Sequence, residues 1–456
     1  MAIKRLFVAN RGEIAVRVLR TAKALGIETV IGVSAADKDS MGARMADRAV
    51  VLGPAPSTKS YLDVNLVVHA AVATGCDALH PGYGFLSEKP ELARLCEQEG
   101  IVFVGPRPDS IEILGDKISS RELAAQANVQ TVPGTDHIRT VEEAKQAADQ
   151  LGYPVVMKAT AGGGGRGMFK AVSPEELEAS FERASREAES AFGDNRLYME
   201  RFVERARHVE VQIVGDGEGN VVHFGERDCT VQRRYQKLIE EAPATAVPDD
   251  VRKRLHESAV RLTSTAKYRN AGTVEFLYDV DRNDFYFIEV NSRIQVEHPV
   301  TEEITGRDLI ACQLRVAGGE GIGITQDEVE VRGHAIECRI NAEDAQRDFA
   351  PSPGRITKWN PPQGEGIRLD SHAGENYLVP PFYDSMIGKL IVYGKNRNEA
   401  IDKLIAAINA FELEGIKTTM PLAAFIVDHP DFRNNQITTR WAEDKCLPDF
   451  DKKMGS

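Results

Sequence analysis

The amino-acid sequence predicts a multidomain protein that combines α/β and α+β architecture. Residues 1–112 alternate short apolar strands with amphipathic helices, which is typical of a parallel sheet covered by helices. A compact stretch at about 131–202 mixes strands, a glycine run and a helix, and from 331 the strands are antiparallel in character and separated by proline-rich loops. At 456 residues, the chain is long enough for two to four domains.

The first domain is predicted from a strand at 6–9, which breaks at Asn10-Arg11-Gly12 and enters a helix that we expect to stop at Gly26. Further elements complete the alternation: strands at 28–34, 77–79 and 101–104 and a helix at 66–73.

The second domain is predicted over 113–330, with 131–202 as a small inserted α+β unit. Its expected helices lie at 116–127, 141–151, 174–190 and 249–267, and its clearest strands at 153–158, 272–280 and 285–290. The last two strands flank the hairpin signal Asp281-Arg282-Asn283-Asp284. A third domain is expected over 331–447, with a helix near 398–412, followed by a tail at 448–456.

The composition is that of an ordinary globular protein, with 42% hydrophobic and 27% charged residues. The net charge of −13 argues against non-specific binding to nucleic acid or to anionic membranes, although it allows a local basic site for a phosphate. Six cysteines without a Cys-x-x-Cys pair are typical of a reducing compartment. No apolar run reaches membrane-spanning length, and the amino terminus does not have the pattern of a secretory signal. We therefore expect a cytoplasmic protein.

The segment 288–297, Ile-Glu-Val-Asn-Ser-Arg-Ile-Gln-Val-Glu, carries the densest pattern of functional side chains. If it is extended, every second side chain points to the same face. That face would carry Glu289, Asn291, Arg293, Gln295 and Glu297. Carboxylate and amide oxygens are ligands for Mg²⁺, and a guanidinium binds a small oxyanion. On alternation alone, an ordinary strand with one solvated face is the more frequent structure.

Glu275 interrupts the otherwise apolar strand predicted at 272–280. A carboxylate there is costly unless it is paired or bound to a metal. Across the predicted hairpin it could approach Glu289, and a cation would then relieve their repulsion. Together with Asn291, these carboxylates form a candidate site for one or two Mg²⁺ ions. The alternative is a strand edge that faces water.

A glycine-rich stretch, Ala-Gly-Gly-Gly-Gly-Arg-Gly-Met at 161–168, follows the strand that ends at Lys158. Glycines let backbone N–H groups turn toward a phosphate and approach it closely. The stretch has neither the ending of a P-loop nor the following helix of a dinucleotide fingerprint. We favour a mobile lid over phosphates, with a flexible linker as the alternative. Lys117 is a second candidate phosphate lysine, although a lone lysine is usually a solvated surface charge.

Three further features have structural explanations beside functional ones. The cationic stretch at 232–237 is either a solvated face or an anion-handling loop. The turn His-Pro-Gly-Tyr-Gly-Phe at 80–85 is more often structural than catalytic, and Arg339 is an isolated strand arginine.

Ten motifs stand along the chain: A-N-R-G-E-I-A at 9–15, H-P-G-Y-G-F-L-S-E at 80–88, G-D-K at 115–117, K-A-T-A-G-G-G-G-R-G-M at 158–168, R-H-V-E at 207–210, E-R-D-C at 226–229, Q-K-L-I-E-E-A-P at 236–243, R-I-Q-V-E-H-P-V-T-E at 293–302, R-G-H-A-I-E-C-R-I-N-A-E-D at 332–344 and P-P-F-Y-D-S-M-I-G-K-L-I at 380–391. In this order and spacing they resemble the biotin carboxylase family of the ATP-grasp superfamily over nearly the whole chain. The chain departs from the family pattern at three positions: Tyr235, where many members carry His, Arg201, where Lys is common, and Ala161, which replaces the first of five glycines.

The resemblance implies an ATP-grasp fold with a Rossmann-like N-terminal domain, a mobile lid and a mixed or antiparallel C-terminal domain. It implies a ligase that uses ATP, Mg²⁺ or Mn²⁺ and bicarbonate to carboxylate biotin, the first half-reaction of an acyl-CoA or 2-oxo acid carboxylase. The chain has no A-M-K-M-type attachment tetrapeptide. We therefore expect the biotin on a separate biotin carboxyl carrier protein, the final transfer on a carboxyltransferase subunit and, from the family, a homodimer.

The resemblance also implies roles for individual residues by motif position. ATP phosphates would be held by Lys117 and Lys158, with Gly164 and Gly165 in the lid. The rest of the nucleotide would contact Glu200, Arg201, Val203, His208, Gln232, Tyr235 and Leu277. Mg²⁺ would be bound by Glu275, Glu289 and Asn291. Bicarbonate would be bound by Lys237, Arg293, Gln295 and Val296, with Glu297 as the base and Arg339 at the biotin ureido oxygen.

The implied mechanism begins when Glu297 removes the bicarbonate proton. The carbonate, held by Arg293 and Lys237, would attack the γ-phosphate of ATP and give carboxyphosphate, which breaks to CO₂ and phosphate. The phosphate would take the N1 proton of biotin, and Arg339 would stabilise the charge that develops on the ureido oxygen. Lid closure would keep carboxyphosphate from water.

Two other classes of protein compete with this interpretation. A different ATP-grasp ligase, joining a carboxylate to an amine, would share the phosphate and metal residues but would not need Arg339 or the polar face at 293–297. A non-catalytic nucleotide-binding regulator would bind ATP without turnover.

Overall fold

The computed structural model of the protein describes residues 2–135, 137–159, 168–192 and 196–455. Ala161, Gly164 and Gly165, and with them the predicted phosphate-covering loop, lie outside these residues. In the part of the chain that is described, no helix has both the length and the apolar character needed to cross a bilayer.

The N-terminal part is built on a parallel sheet of five strands. Its strands are β1 (Arg5–Val8), β2 (Glu28–Ser34), β3 (Arg48–Gly53), β4 (Ala78–His80) and β5 (Val102–Phe103), in the order β3-β2-β1-β4-β5. Its helices are α1 (Gly12–Ala24), α2 (Met41–Met45), α3 (Val64–Ala73), α4 (Pro90–Gln98) and α5 (Pro108–Gly115). Leu6 packs in the cluster of α1 and Phe7 in the cluster of α3 and α4, so both faces of the sheet are covered. The predicted parallel α/β architecture is confirmed.

A small α+β unit follows. Its elements are α6 (Lys117–Gln126), α7 (Val141–Leu151), β6 (Val155–Ala159), β7 (Met168–Ala171), α8 (Pro174–Phe192) and β8 (Leu197–Arg201). The strands form an antiparallel sheet in the order β7-β6-β8, and α7 and α8 share its apolar core.

The remaining described residues form one large antiparallel sheet with helices on it and three small two-stranded sheets. The elements up to the eighth strand of this sheet are β9 (Ala206–Asp216), β10 (Val221–Arg233), β11 (Gln236–Ala242), α9 (Asp249–Thr265), β12 (Arg269–Asp279), β13 (Asp284–Asn291), α10 (His298–Thr305), α11 (Leu309–Ala317), β14 (His334–Asn341), β15 (Glu343–Asp344), β16 (Ala350–Pro351), β17 (Gly354–Arg355), β18 (Lys358–Asn360), β19 (Ile367–Ser371), β20 (Leu378–Val379) and β21 (Met386–Gly394). The last elements are α12 (Arg397–Ala410), β22 (Glu412–Glu414), α13 (Met420–Asp428), α14 (Pro430–Arg433) and α15 (Leu447–Gly455). The three small sheets are β15-β16, β17-β20 and β18-β22.

The large sheet has eight strands in the order β13-β12-β9-β10-β11-β14-β21-β19. The pairing of β11 with β14 carries it across the expected domain boundary near residue 330. The segments before and after that boundary therefore share one sheet, and polar side chains from both can meet on one of its faces.

Candidate active site

A cleft of about 1640 Å³ is lined by all three parts of the molecule. Every predicted site residue that the structure describes lines it: Lys117, Lys158, Glu200, Arg201, Val203, His208, Gln232, Tyr235, Lys237, Glu275, Leu277, Glu289, Asn291, Arg293, Gln295, Val296, Glu297 and Arg339. Residues separated by more than 200 positions in the sequence thus converge on one cavity.

A row of charged side chains crosses four neighbouring strands of the large sheet. Glu289 of β13 lies opposite Glu275 of β12, and Glu275 lies opposite Glu210 of β9. Glu210 in turn lies opposite Arg227 of β10. Side chains opposite one another in antiparallel strands share a face and interact. The predicted approach of Glu275 and Glu289 across the hairpin is confirmed.

Lys237 of β11 is the cation at the centre of the cleft. Its Nζ lies 2.6 Å from Glu210 Oε2, 3.1 Å from Glu275 Oε1 and 2.5 Å from Glu297 Oε1. Burial by itself lowers the pKa of Lys237, but the surrounding anionic groups outweigh it and hold the pKa well above its ordinary value. Lys237 therefore stays protonated, and it contacts carboxylates from three separate segments of the chain.

Arg227 of β10 makes hydrogen bonds to several polar groups of the site, and no part of its side chain is exposed. Its guanidinium donates to Glu210 Oε1 at 2.6 Å and to Gln295 Oε1 at 2.6 Å. Three neutral oxygens accept its other hydrogen bonds, those of Gln212, Thr301 and Thr273. A buried arginine satisfied in this way fixes the acceptors in one arrangement.

The strand that carries Glu289 ends at Asn291, and Glu297 lies just before α10. The strand predicted at 285–290 is confirmed, but the segment 288–297 is not extended throughout, so the alternation beyond Asn291 does not describe one face of a strand. The polar side chains of 289–297 still converge. The reason is that the chain leaves the sheet after Asn291 and folds back over it, not that every second residue of one strand shares a face.

Glu297 is held by cations on both oxygens. Lys237 contacts Oε1, and Arg339 donates to Oε2 at 3.0 Å. Arg339 also donates through Nε to Glu240 Oε1 at 2.6 Å. Burial alone raises the pKa of Glu297, but Lys237 and the two nearby arginines more than reverse this and keep the pKa below its ordinary value. Glu297 is thus an ionised carboxylate at neutral pH.

Arg293 and Gln295, both predicted at the anion site, have distinct surroundings. The Arg293 guanidinium lies 3.3 Å from Glu88 Oε2 and donates to Asn291 Oδ1 at 2.9 Å. Gln295 accepts from Arg227 and donates through Nε2 to Glu275 Oε1 at 2.9 Å. Gln295 therefore links the buried arginine to the row of carboxylates.

The residues predicted to hold Mg²⁺ suit that ion chemically. Two carboxylates, Glu275 and Glu289, lie side by side, and Asn291 adds an amide that donates to Glu275 Oε1 at 2.8 Å. Such hard oxygen donors are the ligands that Mg²⁺ prefers. His208 lies 3.2 Å from Glu275 Oε2. Burial lowers the pKa of His208, but the charge of Glu275 overrides it and raises the pKa to about 9.

The expected nucleotide end of the cleft contains a second set of ion pairs. Glu200 binds Lys158 and Arg121, one through each oxygen. Arg201 donates to the Tyr286 hydroxyl. Tyr235 has a positive φ of +64° and a side chain that is largely exposed at the mouth of the cleft.

Leu277, Val203 and Gln232 complete this region. Val203 packs with the partly buried Leu277 in a small apolar cluster, which gives the cleft an apolar wall suited to a planar base. Gln232 donates to the carbonyl oxygen of Cys229. Desolvation lowers the pKa of Lys117, and Glu289 opposes that effect.

Sequence reasoning missed several residues that build this site, namely Glu210, Arg227, Glu240, Lys389 and Glu13. One signal was present: His208, Glu210 and Gln212 alternate along β9 in the same way as the polar residues near Glu289. The others lie on strands and helices whose neighbours are set only by tertiary structure.

Glu337 of β14 is a buried carboxyl that lies opposite Glu240 of β11. Neither of its oxygens has a hydrogen-bond partner among the residues that the structure describes. Burial raises the pKa of Glu337 well above its ordinary value, and burial also raises the pKa of Glu240 to about 7 against the opposing effect of Arg339. The folded protein therefore holds the Glu337 proton to a higher pH than the unfolded chain does.

This raised pKa predicts a pH dependence of stability. The unfolded chain releases the Glu337 proton near pH 4.3, whereas the folded chain keeps it, so the free energy of unfolding falls as the pH rises above that value. Glu337→Gln is expected to flatten this fall, because the amide cannot ionise. Thermal unfolding measured from about pH 5 to about pH 8 checks it. An equal decline of Tm in the variant and the unsubstituted protein would contradict the assignment.

Family models match nearly the whole chain. Residues 2–111 match the model described as biotin carboxylase, N-terminal domain, and residues 337–444 match the biotin carboxylase C-terminal domain. Residues 116–325 match the carbamoyl-phosphate synthase L chain, ATP binding domain. Fold and site together define an ATP-grasp ligase.

Relatives and solved structures show which family of ATP-grasp ligases the chain belongs to. Biotin carboxylase 1 of Bacillus subtilis is 49% identical over 442 residues, which cover 97% of this chain and 98% of the relative. A biotin carboxylase–β,γ-ATP complex from Campylobacter jejuni is 44% identical with a TM-score of 0.91, covering 97% of this chain and 99% of that chain. The chain belongs to the biotin carboxylase family, and the predicted ATP-grasp fold is confirmed.

A third comparison concerns ligands. The biotin carboxylase domain dimer of the Hydrogenobacter thermophilus 2-oxoglutarate carboxylase, solved with MgADP, ADP and bicarbonate, is 45% identical with a TM-score of 0.89. It covers 97% of this chain and 98% of that chain. The activity is ATP-dependent carboxylation of biotin with bicarbonate, the first half-reaction of a biotin-dependent carboxylase, with ATP, Mg²⁺ and bicarbonate as reactants and cofactor.

Proposed function

We propose that Glu297 is the general base of this reaction, and that Lys237, Arg293 and Arg339 hold the anions that form around it. The observation that carries the proposal is the pair of cations on Glu297, Lys237 on one oxygen and Arg339 on the other. A small oxyanion that enters between these groups meets a base and two cations at once. Such convergence is what proton transfer from bicarbonate needs.

Glu297 takes the bicarbonate proton, and the carbonate oxygen attacks the γ-phosphorus of ATP as the bond to ADP breaks. Lys237 and Arg293 neutralise the charge of the carbonate, because both are cationic side chains that line the same cleft. The lysines Lys117 and Lys158 contact the phosphates. The products of this step are ADP and carboxyphosphate.

Glu275, Glu289 and Asn291 would hold Mg²⁺, which when bound neutralises charge on the phosphate oxygens. Glu275 is kept ionised for this purpose. Burial raises the pKa of Glu275, but Lys237 and His208 outweigh it and lower the pKa below its ordinary value. The apolar wall at Val203 and Leu277 would receive the adenine, with Glu200 and Arg201 at its edge and His208, Gln232 and Tyr235 toward the ribose.

Arg339 also acts in the second part of the reaction, the transfer of CO₂ to biotin. Carboxyphosphate breaks to CO₂ and phosphate, the phosphate removes the N1 proton of biotin, and N1 then forms the new bond to CO₂. Negative charge develops on the ureido oxygen, and Arg339 is placed to stabilise it because its guanidinium borders the cleft beside Glu297.

The partner proteins and the cellular location of this enzyme are further proposals. Relatives that are matched over 98–99% of their own length are named biotin carboxylase, which supports biotin on a separate carboxyl carrier protein. The reaction product then has to pass to a carboxyltransferase subunit that acts on an acyl-CoA or a 2-oxo acid. The dimer named for the Hydrogenobacter thermophilus domain supports a homodimer. The acidic composition and the cysteine usage support a cytoplasmic location.

ATP hydrolysis measured with and without bicarbonate and free biotin tests the proposed function. We expect hydrolysis to depend on bicarbonate and to rise with biotin. A ligase that joins a carboxylate to an amine would respond to neither, and a regulator would bind ATP without turnover.

Arg339→Ser sharpens this test. The variant is expected to retain part of the bicarbonate-dependent ATP cleavage but to lose carboxybiotin, because the charge on the ureido oxygen is no longer stabilised. Arg254→Ser, which removes an exposed ion pair with Asp284, is the control and should match the unsubstituted enzyme. Full carboxybiotin formation in Arg339→Ser would count against the assigned role.

A further inference from the structure

Lys389 of β21 is a lysine with no exposed side-chain surface, and the mechanism gives it no task. It lies opposite Arg339 of β14, so both side chains occupy the same face of the large sheet. Its Nζ donates to the carbonyl oxygen of Val296 at 2.7 Å and lies 3.2 Å from Glu13 Oε2. One buried ammonium thus joins the segment that carries Glu297 to the N-terminal part of the molecule.

Glu13 extends this link to a further segment. It lies in the first turn of α1, and its other oxygen accepts a hydrogen bond from the Tyr83 hydroxyl, in the turn at 80–85. Glu13, Tyr83 and Val296 all line the catalytic cleft. Burial raises the pKa of Glu13, and Lys389 is the main group that opposes this effect. The Lys389–Glu13 pair therefore connects two cleft-lining segments of the N-terminal part, α1 and the turn at 80–85, to the segment before α10 that contains Val296.

The peptide group that Lys389 holds is the one between Val296 and Glu297. This stretch lies after the end of β13 at Asn291 and before α10, so it has no strand ladder to fix it. A hydrogen bond from a buried charge to its carbonyl oxygen sets the plane of that peptide. The direction in which the Glu297 side chain leaves the backbone depends on this plane.

We propose that Lys389 and Glu13 are positioning residues for the bicarbonate site, holding the Val296–Glu297 peptide so that the Glu297 carboxylate meets Lys237 and Arg339. The inference rests on the assignment of Glu297 under the proposed function. A buried ion pair is seldom the best way to gain stability, because apolar residues of similar volume do as well or better. Placing the pair directly behind the catalytic segment gives it an orienting task instead.

Lys389→Met tests the proposal. We expect kcat/KM for bicarbonate to fall by about 10²-fold, because a shift of about 1 Å in a catalytic group has effects of that order. The KM for ATP should change by less than about twofold, since the nucleotide contacts lie elsewhere in the cleft. Lys389→Arg, which keeps a donor and the charge, should recover part of the loss. A lysine with only a structural role would lower the amount of folded enzyme but leave kcat/KM for bicarbonate unchanged in the enzyme that does fold.

Lys403→Met is the matched control. Lys403 of α12 also donates to a backbone carbonyl oxygen of β21, that of Tyr393, at 2.6 Å, but neither residue lines the cleft. This variant should keep the unsubstituted kcat/KM for bicarbonate.

Glu13→Gln covers the case in which Lys389→Met does not fold. The amide keeps the shape of Glu13 and an oxygen for Tyr83, and removes only the charge that holds Lys389. It should lower kcat/KM for bicarbonate in the same direction, by a smaller factor. If folded Glu13→Gln matches the unsubstituted enzyme in kcat/KM for bicarbonate, this inference is overturned alone, whether or not Lys389→Met folds. If the unsubstituted enzyme shows no bicarbonate-dependent turnover, the assignment of Glu297 fails and the inference fails with it.

Discussion

Glu297→Gln is expected to lower bicarbonate-dependent ATP hydrolysis by a factor on the order of 10² to 10⁴, the usual contribution of a general base. The amide keeps the size of the side chain and an oxygen for a hydrogen bond, but it cannot accept the bicarbonate proton. It also removes the negative charge that Lys237 and Arg339 share. Steady-state release of phosphate at saturating bicarbonate measures the effect directly.

Two measurements separate this loss from misfolding. The Tm of Glu297→Gln and its affinity for ATP should remain close to those of the unsubstituted enzyme, since Lys237 keeps two other carboxylate partners. Glu320→Gln, at an exposed glutamate that faces Arg315, is the control and should hydrolyse ATP normally. An unchanged rate in Glu297→Gln would remove Glu297 from the role of base.

Arg227→Met is expected to destabilise the protein by about 3–5 kcal/mol, the range for removing one partner of a buried ion pair. The reason is the fully buried setting of Arg227, whose guanidinium satisfies Glu210 and Gln295 together. Without it, Glu210 retains Lys237 as a cation, but Gln295 and the threonine oxygens lose their donor. Unfolding in urea, followed by circular dichroism, gives the free energy.

Arg205→Met is the surface counterpart. Its ion pair with Asp281 is 61% exposed on the arginine side, so its loss should change the free energy of unfolding by no more than about 1 kcal/mol. A change of similar size in the two variants would mean that the Arg227 network contributes nothing beyond an ordinary surface pair. Because Gln295 bonds to Glu275, we also expect folded Arg227→Met to have reduced activity.

Local patterns in the sequence predicted a substantial part of the fold. The helix at 141–151 lies where the pattern placed it, and the helix predicted at 249–267 is found at Asp249–Thr265. Glu275 approaches Glu289 because the two strands form a short hairpin, but their direct pairing depends on a bulge: the turn places Phe276 opposite Phe287, and a register shift then brings Glu289 rather than Ile288 opposite Glu275. The helices and the hairpin depend on residues that are close in the sequence, so a local pattern is sufficient to predict them, whereas the bulge was not predicted.

The alternating pattern does not hold beyond the end of the strand predicted at 285–290. Period-two alternation continues in the letters through Glu297, yet the strand ends at Asn291 and Glu297 precedes α10. The edge strand β3 was also missed, although it contains four apolar residues in a row; three of its six residues are exposed. In both cases the competing influence is tertiary packing, which decides where a strand stops being paired.

The amino-acid sequence alone specifies which carboxylates, amides and cations are available to the site, the order of the motifs and the hairpin that brings Glu275 near Glu289. Only tertiary packing brings particular groups within ion-pairing and hydrogen-bonding distance of one another. Glu210, Arg227, Lys389 and Glu13 enter the site through strand order and through the docking of α1 on the large sheet. Coulombic and hydrogen-bonding energies depend on distances of a few ångströms. Such distances between remote segments are set only when the apolar faces of sheets and helices pack together.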